Sequence, residues 1–304
     1  MLEWQRLSMS PFLQPQAGTP LAKAVTTPDV LIWQDELIIY SGAIQETHEH
    51  IVRLSLPPDF LHKPGLLPIH AEVVLDIDPH AFDSRHVFDP AAVVVNDQVF
   101  LYYSASGAGQ DQIGLAVSSD GHSFQKHKPA VLAGRAPEVI WWQGRFYLFY
   151  VLPGRGYAIF LAVSEDGKQF QPVSTKPILA AGQGWDSYEV TTPRLFQRQG
   201  MFYMLYAAAG DAARQDKPDA FGLARSADLL YWERFPHNPV FRKGAPGAWD
   251  DGAIWFGTVF EWQGNLYLIY EGGAVQAVEQ TPALTQLGLA GVESSIFDQQ
   301  ITNW

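Results

Sequence analysis

The chain contains no cysteine. Disulfide staples and thiolate metal sites are therefore excluded, and the fold has to be held by packing and hydrogen bonding. Basic residues are also scarce: 20 Lys and Arg stand against 32 Asp and Glu, a formal net charge of -12. A surface of that sign repels phosphate backbones and argues against a nucleic-acid partner. No apolar run reaches the length of a membrane span, so no membrane partner is expected. The opening Met1-Leu2-Glu3-Trp4-Gln5-Arg6 lacks a basic stretch leading into an apolar one, which gives a cytoplasmic location as the expectation. No low-complexity run or compositional break divides the 304 residues, so 1–304 is read as a single domain. Nothing in the composition speaks to the oligomeric state.

What the chain does have is hydrophobic content, 47%, and a repeat. An aromatic strand ends at Tyr40, Tyr103, Tyr150, Tyr206 and Tyr270, each followed closely by a Gly or another small residue. In the second unit, Ala91-Ala92-Val93-Val94-Val95 reads as a buried strand, Asn96-Asp97 as a turn and 98–103 as the return strand. A third strand follows over 113–118, then Asp120-Gly121, whose residues tolerate the positive φ of a tight hairpin. The third unit repeats this pattern, with Asp166-Gly167 at the corresponding turn. Five such units of a few short strands predict an all-β fold, a five-bladed β-propeller. The fifth unit ends before a fourth strand appears, while Trp4-Gln5-Arg6-Leu7 resembles Trp232-Glu233-Arg234-Phe235 of the fourth unit. The N-terminal strand is thus expected to complete the last blade and close the ring, protecting its edge.

Upstream of each repeat tyrosine lies an acid beside Pro or Gly: Pro28-Asp29, Asp89-Pro90, Pro137-Glu138, Glu189 before Pro193, and Asp251-Gly252. Any one of these is as well explained as a turn residue. As a set at equivalent blade positions they are expected to face one central pocket. His86 and Asp250 neighbour two of them. Trp185, Trp249 and Trp255 are candidates to stack on sugar rings, or are blade-packing aromatics. Arg135 and Arg194 flank the pocket strands, where they bind a sugar hydroxyl or carboxylate or pair with the acids. His48-Glu49-His50 puts two imidazoles on one strand face without a third ligand and is read as surface polarity. No metal site is expected. The prolines within 56–68 mark a long connection, and 210–219 reads as a polar insertion in the fourth unit; either is placed to overhang the pocket.

Asp89-Pro90, Ala136-Pro137-Glu138-Val139, Ile113-Gly114-Leu115-Ala116 with Ser118-Ser119-Asp120-Gly121, and Asn238-Pro239-Val240 resemble the five-bladed propeller glycosidases. These comprise glycoside hydrolase families 32, 43, 62, 68, 117 and 130, and the likeness is nearest to family 43. The resemblance implies a hydrolase of small or terminal arabinofuranosides or xylosides, inverting, with paired carboxylates and a small carbohydrate as partner. It implies no required cofactor; some relatives hold a calcium or sodium ion in the central channel. An Asp of an Asp-Pro pair is that family's general base, a second Asp tunes the acid, and a Glu shortly before a proline is the acid. Carried over, Glu189 is the acid, at a longer gap from Pro193 than the family shows. The base is Asp89 by pattern or Asp29 by blade order, and Glu138 or Asp251 modulates. A phosphorylase of the same fold, which needs several cations in the pocket, and a non-catalytic sugar-binding propeller are the alternatives.

Overall fold

The computed structural model describes residues 4–56, 60–61, 70–152, 157–280, 283–302 and 304. Most of the 56–68 connection lies outside the described residues. The chain forms five antiparallel sheets. Blade 1 is Ala24–Trp33, Glu36–Ile44, Glu49–Ser55 and His70–Leu75. Blade 2 is His86–Val95, Gln98–Ser106 and Gln112–Ser118, edged by Gln125–Lys126 and Leu132–Ala133. Blade 3 is Arg135–Trp142, Arg145–Val151, Ile159–Ser164 and Gln171–Pro172. Blade 4 is Glu189–Arg198, Met201–Ala209 and Ala220–Ser226, edged by Glu233–Arg234 and Phe241–Arg242. Blade 5 is Ala253–Trp262, Asn265–Gly273 and Gln286–Glu293, and its fourth strand is Gln5–Arg6. Each inner strand packs against the inner strands of both neighbouring blades, with blade 5 meeting blade 1, so the ring is closed.

The repeat tyrosine has a mechanical role in three blades. Tyr103, Tyr206 and Tyr270 lie across Gly114, Gly222 and Gly288 on the next strand, where a Cβ would sit 2.2, 2.4 and 2.3 Å from the ring. Each hydroxyl then reaches a buried aspartate, at 3.1 Å on Asp83, 3.4 Å on Asp186 and 2.9 Å on Asp250. Each aspartate is in turn paired with a cation from the outermost strand: Lys126, Arg234 and Arg6. Arg6 therefore does in blade 5 what Arg234 does in blade 4, which explains the similarity of the two segments. Phe12 and Leu13 extend the seam by donating to the carbonyl of Leu287. Gly114→Ala is expected to cost about 1–3 kcal/mol by forcing the Tyr103 ring out of place. The midpoint of urea unfolding measures this, and an unchanged midpoint would show that the ring yields freely.

The hairpin turns between the third and outer strands are built alike. Ser118 with Asp120, Ser164 with Asp166 and Ser226 with Asp228 each bind the following backbone N–H groups. Those N–H groups hold the three aspartates below the usual carboxylate range.

All five inner strands carry a bulge at the same level. The bulged residue has positive φ: Thr27 at 42°, Asp89 at 50°, Ala136 at 51°, Thr192 at 46° and Phe256 at 36°. A proline follows in four blades (Pro28, Pro90, Pro137, Pro193) and Gly257 in the fifth. This conformation is costly for Thr and Phe, and a ring of such residues marks a place where geometry is held against local preference. The bulge fixes the true blade equivalence and corrects the expectation that the five acids stand at one level. Only Asp89 occupies the bulge. Asp29 and Glu138 lie two residues beyond it, level with Arg194 and Thr258. Glu189 lies three residues before it, and Asp250 and Asp251 precede the inner strand altogether.

Candidate active site

Past the bulges, the centre of the ring is filled. Arg194, 1% exposed, donates to the carbonyls of Pro137 and Pro90 at 2.8 Å each and to Glu138 Oε2 at 3.1 Å. Glu138 Oε1 accepts from the backbone N–H of Leu195 at 2.8 Å. Asp29 Oδ2 accepts from the N–H of Ala92 at 2.7 Å, and its charge is opposed by Arg194. Thr258 donates to the carbonyl of Pro28 at 2.7 Å, and the Arg194 guanidinium lies 4.9 Å over the Phe256 ring. Every blade contributes to this plug. Three residues proposed from sequence, Asp29, Glu138 and Arg194, are thereby spent on one another and on the backbone.

A second layer of polar groups forms at the level of the bulges and the strand starts. Asp89 is buried and accepts from Ser104 Oγ at 2.7 Å, while Ser104 accepts from the N–H of Ala136 at 2.8 Å. Glu271, from the second strand of blade 5, accepts from the N–H of Thr27 at 2.9 Å and from Thr285 Oγ1 at 2.7 Å. Glu49, opening the third strand of blade 1, is hydrogen-bonded by Thr26 and lies in the field of both Asp89 and Glu271. Its backbone N–H donates to His86 Nδ1 at 3.1 Å, so that nitrogen is unprotonated and His86 is neutral with its proton on Nε2. Burial also lowers the His86 pKa. The guanidinium of Arg135 lies between the rings of Phe88, at 5.6 Å, and Tyr157, at 6.0 Å, beside Asp89 and Asp216.

Tyr157 and Asp216 link Arg135 to Glu189: both charges act on Tyr157, and Asp216 acts on each. Glu189 Oε2 accepts from the N–H of Asp216 at 3.1 Å, and its buried Oε1 has no partner among the described residues. Asp216, in the 210–219 segment, is held by Tyr157 Oη at 3.0 Å and, through its carbonyl, by Trp255 Nε1 at 3.0 Å. The polar insertion therefore does lie against the site. The groups brought together are Asp89, His86, Arg135, Glu189 and Trp255.

Asp250, Asp251 and Trp185 are elsewhere. Asp250 anchors Arg6 and Tyr270. Asp251 accepts from the N–H groups of Gly247 and Val275, which hold its pKa down, as in an ordinary loop cap. Trp185 stacks on Tyr206 and lines a groove of about 450 Å³ on the top of blade 4. Trp249 likewise stacks on Tyr270.

Glu49, Glu271, Tyr157 and Asp216 were not singled out from sequence. Glu271 did leave a signal. The residue after the repeat tyrosine is Ser41, Ser104, Val151 or Ala207 in the other blades, and an acid in that buried slot is out of pattern. Glu49 was hidden inside His48-Glu49-His50. Among the described residues no group of three or more His, Asp or Glu side chains is arranged to hold a metal ion, and no helix is long and apolar enough to cross a membrane.

Burial drives the electrostatics. It raises Glu49 to about 8, helped by the charges of Asp89 and Glu271. It raises Glu271 to about 7 against the hydrogen bonds from Thr285 and Thr27, and Glu189 to about 7 against the bond from Asp216. Asp89 is raised too, with Arg135 opposing. These folded values exceed the ordinary 4.5 of a glutamate, so the folded protein keeps protons that the unfolded chain has released. The stability they carry is present at low pH and is lost as pH rises toward 8. His50 and His86 are lowered below 6.5 and do not titrate in the upper part of this window. Unfolding stability is expected to fall by about 2 kcal/mol between about pH 6.5 and 8.5. Urea melts at the two pH values test this, and Glu49→Gln should reduce the dependence, with the remainder left to Glu138, which burial also raises to about 8, and to Glu271 and Glu189.

No family model matches the chain, and no curated protein matches its sequence. Solved structures do match. One described simply as a glycoside hydrolase is 14% identical with a TM-score of 0.73, covering 95% of this chain and 92% of that one. The chain has the five-bladed propeller fold of glycoside hydrolases. The GH43_1 enzyme from Xanthomonas citri, complexed with xylotriose, is 18% identical with a TM-score of 0.66, covering 94% and 90%. A third structure comes from work on the GH130 family of mannoside phosphorylases, described as containing glycoside hydrolases that target β-1,2-mannosidic linkages in Candida mannan. It is 15% identical with a TM-score of 0.70, covering 96% and 94%. At these identities the propellers share architecture, and the role of each residue rests on the geometry above.

Proposed function

We propose that this propeller is a glycoside hydrolase that removes a small or terminal sugar by acid–base catalysis with inversion. The observation that carries the reading is Glu189. It is a buried carboxyl raised to about 7, with one oxygen unpartnered. A carboxyl that keeps its proton near neutral pH can protonate a leaving oxygen. Asp89, hydrogen-bonded by Ser104 and with the charge of Arg135 opposing the burial that raises it, is the second carboxyl and would serve as the base that activates a water. The two lie on different inner strands, and neither's charge acts measurably on the other, which favours the wider carboxyl spacing of an inverting enzyme. The chemistry needs no cofactor.

The phosphorylase alternative needs several cations to hold phosphate. Arg194 is committed to the plug, Arg214 and Lys243 are paired with Asp219 and Lys217 with Glu279, and Arg135 lies among carboxyl groups, all of which weighs against it. The resemblance to family 43 makes nitrophenyl α-L-arabinofuranoside and β-D-xyloside the first substrates to try. A panel of nitrophenyl glycosides is expected to yield at least one that is turned over with a single anomer as first product. No turnover on any of them, with sugar binding intact, would support the non-catalytic reading instead.

A further inference from the structure

Arg135 is anomalous among the arginines. Arg6, Arg53, Arg194, Arg198, Arg214, Arg225 and Arg234, the others not fully exposed, all hydrogen-bond through their guanidinium groups. Arg135 makes no side-chain hydrogen bond among the described residues, although Asp89, Asp111, Asp216 and Tyr157 share its field. Its guanidinium carbon lies 5.6 Å from the centre of the Phe88 ring and 6.0 Å from that of Tyr157, contacts that use ring faces and leave its N–H donors unused. A fixed guanidinium with a free edge matches a planar carboxylate, which it can bind through two parallel hydrogen bonds. None of the neighbouring carboxyls hydrogen-bonds it: Asp89 is turned to Ser104, Glu271 to Thr285 and Thr27, and Asp216 to Tyr157, while Asp111 and Glu49 reach it only through their charge.

We propose that Arg135 is the seat of a substrate carboxylate, so that the sugar bound in the mouth is a uronic acid. The inference deepens the hydrolase reading and rests on it only for turnover. A carboxylate is favoured over phosphate because a single guanidinium surrounded by acids matches one negative charge better than two.

The test is calorimetric titration of the intact protein with sodium D-glucuronate and D-galacturonate, against D-xylose and L-arabinose. A uronate is expected to bind about tenfold to hundredfold more tightly than the neutral sugars, as charge-assisted hydrogen bonds allow. Arg135→Gln should erase the preference, and Arg135→Lys should restore part of it through a single contact. Circular-dichroism melts establish that each variant is folded; if Arg135→Gln is not, Arg135→Lys still has to show a reduced preference. Neutral sugars binding as tightly as uronates overturn the proposal and leave the hydrolase reading standing. Arg135-dependent uronate binding without cleavage of any nitrophenyl uronide does the reverse. Inorganic phosphate that competes with the sugar and supports phosphorolysis assigns the seat to phosphate and overturns the proposal.

Discussion

Glu189→Gln is expected to lower kcat by about 10²–10⁴, the range that a lost general acid costs. The substitution keeps the shape and the hydrogen bond from the Asp216 N–H, so sugar affinity should change little. Turnover and affinity therefore separate, as they should when an interaction belongs to the transition state alone. In the unsubstituted protein the rate should fall as pH rises through about 7, because Glu189 loses its proton there. That alkaline limb should be missing from the residual activity of the variant. A variant that turns over nitrophenyl glycosides at the native rate would remove Glu189 from the mechanism. A leaving group that needs no protonation, such as dinitrophenolate, should be affected much less.

Arg194→Met is expected to destabilise the propeller by about 3–5 kcal/mol, the cost of stripping one partner from a buried ion pair. The guanidinium serves Glu138 and the carbonyls of Pro90 and Pro137, and it opposes the charge of Asp29. All of these lose a donor or a counter-charge inside a site that water does not reach. Denaturant unfolding measures the effect. Adding Glu138→Met should recover much of the loss, since an apolar pair of similar volume often matches a buried ion pair. A small effect from Arg194→Met alone would show that Glu138 and Asp29 do not depend on it, and would return both to candidacy as catalytic groups.

These two residues show what could and could not be read from the chain. The blades, their hairpin turns and the closing strand were legible because each rests on local chemistry. Tyr over Gly, Ser-x-Asp turns and the Trp-x-Arg segment recur in the sequence as they do in space. The level of each acid was not legible. Pro28-Asp29 and Asp89-Pro90 look like the same pair reversed. Yet the bulge places Asp89 at the strained position and Asp29 two residues on, and successive side chains on a strand point opposite ways. A bulge adds one residue without announcing itself in composition. Glu49 and Glu271 are hidden for a different reason: they come from the third strand of blade 1 and the second of blade 5, whereas the repeat marks acids on the inner strands. Arg135 is visible in sequence as a cation beside a pocket strand, but its lack of a hydrogen-bond partner is a property only of three-dimensional neighbours.

The pairing of Gln5–Arg6 with Gln286–Glu293 has a consequence for the mouth, although it lies at the outer rim. Five wedges set side by side around an axis can spread like an opened fan unless the first is fastened to the last. That fastening is a two-residue strand, extended by the backbone bonds of Phe12 and Leu13 to Leu287 and reinforced by one charge pair, part-buried Arg6 with buried Asp250. The spacing between Asp89 and Glu189 is thus kept by a clasp that touches neither of them. Loosening it should blur the catalytic geometry before it unfolds the protein.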